Sequence, residues 1–448
     1  MIPRGWSRFQ LLWGAVLASS SGLLLVVILE NLLTTARFWL RSFVLVGHIV
    51  FGVLALAGIV WGCVTMRSRD RKGVLFANLA LLMLGIAAPP LLEGLLRLGI
   101  AFGPEFFRQP SLYAHPHSDV EYFKLEATWH PSSREHPRAA NLPELKRDAR
   151  LGWSYPRTPT NPLGVLASIP YELGGEGRPV LFYGDSYVEN GAQLEDKIPQ
   201  LLDAELAELR VYNYGVRGYG LDQIYLRFLE SHRLFRNPLI LFGVFVEDLD
   251  RCLLDFRNAP KPFFRVENEE LILSGMPLAP SVEAYLRAHP PRTRSYFLAA
   301  LVRGVRYFRA GGSSFRDPYR RKEMEAIGAK ILGAAVRESR RWNLSMVFVL
   351  FSPRSGGGWR REFFLEQLHR LDVAVLDVEE ILKRAEMRAG RTRADSFDET
   401  GHHSLWANRM IAKAIAAYLE PLVKGGRAPV QESRPRLSDR ATAPSRSG

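Results

Sequence analysis

Two short blocks of this sequence carry residue types that suit nucleophilic catalysis. Gly184-Asp-Ser186 directly follows an apolar run, and Asp398-Glu399-Thr-Gly-His402 stands just before the last amphipathic stretch. A serine hydroxyl becomes a good nucleophile when an imidazole accepts its proton, and an acidic group then holds the imidazole in the correct tautomer. These types predict Ser186 as nucleophile, His402 as base, and Asp398 or Glu399 as the acid.

Each block also has a structural interpretation without chemistry. Gly-Asp-Ser is a common way to end a strand and cap a helix, and the acidic block is a polar loop that caps the final helix. A third block, Asn213-Tyr-Gly215-Val-Arg-Gly218-Tyr-Gly220, follows a second short apolar run. Backbone N–H groups in such a glycine-rich turn can stabilise an oxyanion, which favours the catalytic interpretation.

The elements that must position these blocks alternate in type from residue 178 onward. Strands are predicted at 180–183, 211–214, 238–245, 345–351 and 373–376, and helices at 198–209, 221–230, 321–341, 360–371, 378–387 and 405–422. Apolar strands alternating with helices are typical of a parallel sheet covered on both faces. The predicted fold class is therefore α/β, a flavodoxin-like three-layer α/β/α sandwich with a parallel sheet.

Residues 247–320 interrupt that alternation and include a predicted hairpin around 264–273. In an open α/β sheet, ligands bind beyond the carboxyl ends of the strands. An insertion after the third strand is therefore predicted to lie on the rim of the active site.

The three blocks, in this order and at these strand ends, resemble the SGNH hydrolase family, also called GDSL-type esterases and lipases. The resemblance covers about residues 178–422. It implies that Ser186 is the nucleophile, that His402 is the base, and that the N–H groups of Ser186 and Gly215 form the oxyanion hole. The Asp-x-x-His spacing of the family places Glu399 at the acid, and Asp398 stands one position earlier, so both are kept as candidates.

One position departs from that family. Glu247 stands where the family has an asparagine that donates a hydrogen bond to the oxyanion. An ionised carboxylate has no hydrogen to donate and repels negative charge. We therefore expect that Glu247 is protonated, or that it turns away, or that the oxyanion hole relies on the N–H groups of Ser186 and Gly215.

The first hundred residues are unusually apolar. Three stretches, at about 11–33, 43–66 and 74–92, each reach the roughly 20 residues that a membrane-crossing helix needs. Region 1–100 is therefore predicted to hold three transmembrane helices in contact with the lipid bilayer. Cations at Arg4, Arg8 and 67–72 predict a cytoplasmic N-terminus, which places the chain beyond residue 100 outside the cytoplasm.

Two further segments lack a regular pattern. Residues 101–177 are predicted to be a linker or surface wrapping, which leaves 178–423 as the hydrolase-like domain. Residues 424–448 are rich in Arg, Pro and Ser and are predicted to be a disordered tail.

Composition excludes several other classes of protein. The chain has 448 residues, of which 47% are hydrophobic, and its two cysteines cannot form a disulfide scaffold. The formal charge is +13, yet the cations are scattered with no zinc motif or basic stripe, which argues against nucleic-acid binding. Four histidines between 115 and 136 lack the ligand spacing of a metal site. No metal and no organic cofactor is predicted.

These observations, with the resemblance, predict a membrane-anchored extracytoplasmic serine esterase. Its substrate would be an acyl ester, first of all an O-acetyl ester, on an envelope glycan or lipid. An alternative with the same residues is an O-acyltransferase that moves the acyl group onto a polysaccharide, which implies a membrane partner in envelope polysaccharide modification. A third interpretation is a binding protein without activity, for which Glu247 is the main argument.

Overall fold

The computed structural model describes residues 56–57, 59–61, 63, 71–131, 144–166 and 177–423. The chain divides into two compact units. The first comprises residues 1–116 and 291–319, and the second comprises residues 117–290 and 320–448. The first predicted span, 11–33, the larger part of the second, 43–66, and the tail 424–448 lie outside the described residues.

The second unit is built on a parallel sheet. The strands of the described residues are β1 (Lys146–Asp148), β2 (Gly152–Ser154), β3 (Arg178–Gly184), β4 (Leu209–Gly215), β5 (Leu239–Phe245), β6 (Phe263–Glu267), β7 (Glu270–Ser274), β8 (Ser345–Phe351) and β9 (Ala374–Asp377). Five of them form one sheet in the order β4-β3-β5-β8-β9, with every pair parallel. Counted along the chain this is the order 2-1-3-4-5, which is the flavodoxin-like arrangement.

Helices cover this sheet on both faces. The α-helices of the described residues from 71 onward are α1 (Arg71–Phe102), α2 (Val120–Trp129), α3 (Ser186–Glu189), α4 (Ile198–Glu205), α5 (Leu221–Ser231), α6 (Asp248–Arg251), α7 (Val282–Ala288), α8 (Tyr296–Arg309), α9 (Arg321–Arg341), α10 (Gly358–Arg370), α11 (Val378–Ala389) and α12 (Leu405–Val423). In one group α12 packs against α4 and α11, and in another α9 packs against α5 and α10. Every residue of β5 is buried, as an apolar strand covered on both faces must be. The predicted α/β sandwich with a parallel sheet is confirmed.

The register of the central strands brings the chemical blocks to one edge. Gly184 at the end of β3 pairs with Gly215 at the end of β4, and β5 runs beside β3 on its other side. A β-carbon at Gly184 would lie only 2.2 Å from Cγ2 of Val188, so this strand can turn directly into α3 only because residue 184 has no side chain.

The segment 101–177, predicted as a linker or wrapping, contributes folded structure to both the surface and the core. It contains α2 and the antiparallel pair β1–β2, and Leu151, Trp153 and Tyr155 are buried. The indole N–H of Trp153 donates to the carbonyl of Arg217 at 3.0 Å, in the loop after β4. Strands of three residues are too short to produce a recognisable period, which is why the sequence pattern did not predict this packing.

In the first unit, α1 packs against α8, a helix of the insertion. The polar side chains Glu93 and Arg97 of α1 bind the beginning of α8. Among the described residues, no helix combines the length and the apolar character needed to cross a bilayer. The third span, predicted at 74–92 within α1, is therefore not supported.

Candidate active site

Ser186 begins α3, directly after β3, and is half-buried. The preceding Asp185 caps this turn, because its carboxylate accepts the N–H of Tyr187 at 2.8 Å. The hydroxyl oxygen of Ser186 lies 2.9 Å from Nε2 of His402. The two residues are 216 positions apart in the chain, and this distance is short enough for proton transfer between them.

The other nitrogen of His402 contacts a hydroxyl group. Nδ1 of His402 lies 2.8 Å from Oγ1 of Thr400, and that hydroxyl lies 2.6 Å from Oδ1 of Asp398. The Thr400 hydroxyl donates to the carboxylate, so it accepts the N–H at Nδ1. This assignment of the hydrogens leaves the Nε2 lone pair facing Ser186, which is the tautomer that a general base requires.

Only one of the two predicted acids belongs to this chain of hydrogen bonds. Asp398 also accepts the backbone N–H groups of Thr400 at 2.8 Å and of His402 at 3.1 Å, which fixes the loop around its carboxylate. Glu399 is exposed, and within the described part of the chain it makes no hydrogen bond to His402. The structure thus joins Asp398 to the imidazole through Thr400, a residue that sequence reasoning did not select.

Tyr187 ties the serine turn to the histidine loop. Its ring stacks on Phe245 with centroids 4.2 Å apart and lies 5.1 Å from the ring of His402. Its hydroxyl donates to the carbonyl of Gly401 at 3.1 Å, and the amide of Asn190 donates to the carbonyl of His403 at 2.8 Å. These contacts hold two distant segments at the spacing that the Ser186–His402 contact needs. The only feature of the sequence that marks Tyr187 and Asn190 is their position, one and four residues after Ser186.

His403, the neighbour of His402, has a different role. It is 2% exposed and lies among the rings of Tyr187, Phe351 and Phe397. Neither of its ring nitrogens has a hydrogen-bond partner among the described residues. Desolvation, followed by the nearby charges of Arg393 and His402, lowers the pKa of His403 to about 3. It is therefore a neutral packing residue at ordinary pH.

Glu247 is turned toward a histidine from the segment before the sheet. Its Oε2 lies 3.2 Å from Nδ1 of His117. Burial raises the pKa of Glu247, but the charge and hydrogen bond of His117 and the charges of Arg251 and Arg360 outweigh burial and lower that pKa to about 2. Of the three expectations for Glu247, the protonated carboxyl is thus disfavoured. The carboxylate is ionised and directed at His117.

The backbone donors differ from those expected. The N–H of Gly215 donates to the side-chain oxygen of Asn213 at 3.0 Å, within the end of β4 itself. By contrast, the N–H groups of Ser186 and Gly218 have no acceptor among the described residues. Gly218 has a φ of +83°, a conformation that glycine adopts without strain.

The loop that carries Gly218 is held beside the serine turn on both sides. The N–H of Arg217 donates to the Glu189 carboxylate at 2.5 Å. The carbonyl of Tyr219 accepts from Nη1 of Arg251 at 2.6 Å, and the same nitrogen lies 2.8 Å from the Asp185 carboxylate. The loop that carries Gly218 is thus joined to residues 185 and 189 of the serine turn.

Arg251 joins three strand ends through buried hydrogen bonds. Besides Asp185 after β3 and Tyr219 after β4, its Nη1 contacts Oδ1 of Asp248 after β5 at 2.5 Å. Burial lowers the pKa of Arg251, but the charges of Asp248 and Asp185 raise it by more, so the guanidinium stays charged. Asp248 in turn accepts the N–H of Phe245 at 2.9 Å. This cluster fixes the floor of the site.

The residues that the structure describes do not offer the ligand set of a metal centre. No group of three His, Cys, Asp or Glu side chains converges as ligands in the described ranges. Of the histidines between 115 and 136, His115 stacks on Tyr319 and His117 contacts Glu247, whereas His136 lies outside the described residues.

No family model and no curated protein matches this chain. Among solved structures it is similar to a member of the lipolytic protein G-D-S-L family from Veillonella parvula, at 10% identity and a TM-score of 0.33, over 55% of this chain and 99% of that chain. It is also similar to an alpha/beta hydrolase enzyme from the metagenome of Lake Arreo, Spain, at 14% identity and a TM-score of 0.33. That match covers 54% of this chain and 94% of that chain. Likenesses of this degree carry no inference about chemistry.

Proposed function

We propose that this protein is a serine hydrolase that cleaves acyl esters through Ser186, His402, Thr400 and Asp398. The observation that carries the proposal is the 2.9 Å contact between the Ser186 hydroxyl and Nε2 of His402. That contact is backed by the hydrogen bonds from Nδ1 through Thr400 to Asp398. A serine, an imidazole in the correct tautomer and a carboxylate are what acyl transfer to a hydroxyl nucleophile requires.

The reaction then proceeds in two halves. Ser186 Oγ attacks the ester carbonyl while its proton passes to Nε2 of His402. The tetrahedral intermediate collapses when His402 returns that proton to the departing alcohol, which leaves an acyl group on Ser186. Water then gives a proton to His402 and attacks the acyl group, and Ser186 regains its proton as the carboxylic acid departs.

The N–H groups of Ser186 and Gly218 are proposed as donors to the oxyanion, since both lack an acceptor within the described residues. Glu247 adds no third donor, because its carboxylate is ionised. Loss of one such donor typically costs roughly 10²–10³ in kcat, so the enzyme is expected to be slow.

The substrate is proposed to be an O-acyl ester, with O-acetyl groups on an envelope glycan or lipid as the first choice. That choice rests on the membrane anchoring and the extracytoplasmic location expected from the sequence, which stay predictions. The location depends on three spans, because two spans from a cytoplasmic N-terminus would return the chain to the cytoplasm. Transfer of the acyl group to a polysaccharide hydroxyl would use the same side chains and would differ in how well water is excluded.

The test is labelling of the full-length protein by a fluorescent serine-directed phosphonate, together with hydrolysis of an aryl acetate. Ser186→Ala should abolish both, whereas Ser345→Ala, at an exposed serine that starts β8, should leave both unchanged. Labelling without hydrolysis, restored to turnover by an added glycan acceptor, would establish the transferase. Absence of labelling in the wild-type protein would contradict both enzymatic functions and favour the binding protein.

A further inference from the structure

Helix α8 exposes an apolar stripe. Leu298, Leu301, Val302 and Val305 are 57%, 40%, 49% and 43% exposed. Positions separated by three, four and seven residues lie on one face of a helix, so these side chains form a single row. Scattered exposed apolar residues are common on soluble proteins, but a continuous row along a helix marks a surface that meets another apolar phase.

The orientation of this stripe is fixed by polar contacts with α1. The carboxylate of Glu93 accepts the hydroxyl of Ser295 and the N–H of Phe297, both at 2.9 Å, which caps the first turn of α8. Arg97 donates to the carbonyl of Arg294 at 2.8 Å. On the opposite side of the helix, Arg303 is buried and contacts Asp317. The helix therefore cannot rotate to bury its apolar row without breaking these contacts.

Helix α1 contributes apolar surface of its own. Leu91, Leu95 and Leu98, again at helical spacing, are each more than half exposed. The apolar stretches 11–33 and 43–66 precede α1 in the sequence and belong to the same unit.

The charge of residues 291–319 indicates what kind of surface would cover the apolar stripe. Residues 291–319 contain six arginines and a single acidic residue, Asp317. A basic amphipathic helix that ends in aromatic side chains, as Tyr307 and Phe308 do here, is typical of a helix that lies in a membrane surface. Packing of a second copy against the same face would bring arginine next to arginine, which opposes self-association.

We propose that α8 lies in the headgroup region of an anionic lipid bilayer, with Leu298, Leu301, Val302 and Val305 in the acyl boundary. The exposed arginines of the segment, among them Arg294, Arg309 and Arg316, bind lipid phosphates, and the helix rests on the membrane without crossing it. This inference is independent of the proposed hydrolase activity, because none of its residues belongs to the serine site.

The test places an environment-sensitive fluorophore on a cysteine at Val302→Cys in the full-length chain, in a Cys63→Ser background. Lys322→Cys, at an exposed site of α9, is the matched control. In vesicles with phosphatidylglycerol and brominated acyl chains, the probe at 302 should shift its emission to the blue and be quenched, and the probe at 322 should show neither change. Adding Leu298→Glu should remove the quenching at 302 while the thermal unfolding curve stays the same.

Two results would overturn the proposal. One is a probe at 302 that emits as in water, because the stripe then faces solvent. The other is a blue-shifted probe that brominated lipid does not quench, because a protein surface then covers the stripe. Equal quenching in vesicles that lack anionic lipid would contradict the role assigned to the arginines.

Discussion

Thr400 Oγ1 lies 2.8 Å from His402 Nδ1, in the place that a carboxylate oxygen occupies in a directly bonded triad. The carboxylate of Asp398 is one hydrogen bond further along, at 2.6 Å from the same hydroxyl. A neutral hydroxyl therefore lies between the Asp398 carboxylate and the imidazole. The hydroxyl can hold the tautomer of the imidazole fully, but it transmits only part of the stabilisation that a neighbouring negative charge gives to an imidazolium.

Replacing Thr400 should separate these two contributions. Thr400→Val keeps the shape of the side chain but removes the hydroxyl, and we expect kcat to fall by roughly 10²-fold, less than the ~10⁴-fold loss when a directly bonded acid is neutralised. Thr400→Ser should restore most of the rate. The measurement is kcat for aryl acetate hydrolysis over a pH series. The Thr400→Val variant should also change the acidic side of the plot of kcat against pH. Wild-type rates and an unchanged pH profile in Thr400→Val would remove Thr400 from the mechanism.

Glu247 should limit the rate in its present form. Glu247→Asn exchanges a carboxylate for an amide that can donate, and we expect kcat to rise, by up to roughly 10²–10³, the range for one oxyanion donor. Glu270→Asn on β7, an exposed position, serves as the control and should change nothing. A lower kcat in Glu247→Asn would instead show that the contact with His117 supports catalysis.

His403 should make the protein less stable in acid. Its pKa is about 3 in the folded protein because of desolvation and the charges of Arg393 and His402, against about 6.5 for an ordinary histidine. Between these values the unfolded chain binds a proton that the folded chain does not. Its contribution to the free energy of unfolding is thus complete above pH 6.5 and is lost by about 1.4 kcal/mol per pH unit as the pH falls toward 3.

The measurement for His403 is urea unfolding at pH 7 and pH 5. The wild-type protein should lose about 2 kcal/mol more than His403→Phe, which keeps an aromatic ring but cannot take up a proton. Equal losses in the two proteins would mean that His403 does not govern acid stability.

Arg251 should be the most costly side chain to remove from the floor of the site. Arg251→Met leaves the carboxylates of Asp185 and Asp248 buried without their shared cation, and breaking a buried pair in this way costs about 3–5 kcal/mol. Arg265→Met provides the matched control, because Arg265 is exposed and lies 4.0 Å from Glu267, so its loss should stay within about 0.5 kcal/mol. Denaturant unfolding of both variants gives the comparison. A loss below about 1 kcal/mol for Arg251→Met would show that the surrounding charges rearrange.

The strands of the sheet could be predicted because parallel strands buried on both faces are nearly continuous apolar runs. The strand predicted at 238–245 is β5, Leu239–Phe245, and the one predicted at 345–351 is β8. Ser186 and His402 could be predicted from their residue types and from their positions in the chain. Few residue types can act as nucleophile or base, and both stood where a strand or a loop meets a helix.

The remaining parts of the site depend on directions that a sequence does not specify. Whether Asp398 reaches His402 directly or through Thr400 depends on the turn of one loop. The engagement of the Gly215 N–H by Asn213 depends on a side-chain rotamer. The contact of His117 with Glu247 joins residues 130 positions apart, and no local period records such a contact.

The whole insertion, residues 247–320, was predicted to lie on the rim of the active site. Its residues 291–319, including α8, instead belong to the first unit with α1, whereas β6, β7 and α7 belong to the second. A non-local pairing of this kind leaves no trace in the periodicity of either segment. Neither α8 nor its apolar face was predicted from the sequence, which indicated only a hairpin within the insertion.

The division of the insertion between the two units has a consequence for how the protein is made. Helix α1 ends at Phe102, yet its partner α8 begins at Tyr296, so during translation α1 leaves the ribosome long before the residues that bind it exist. Domains usually fold in the order of their synthesis. Here the earlier unit is completed only after β3, β4 and β5 have emerged. During that interval Glu93 and Arg97 of α1 lack the partners that they contact in the finished protein, at residues 294–297.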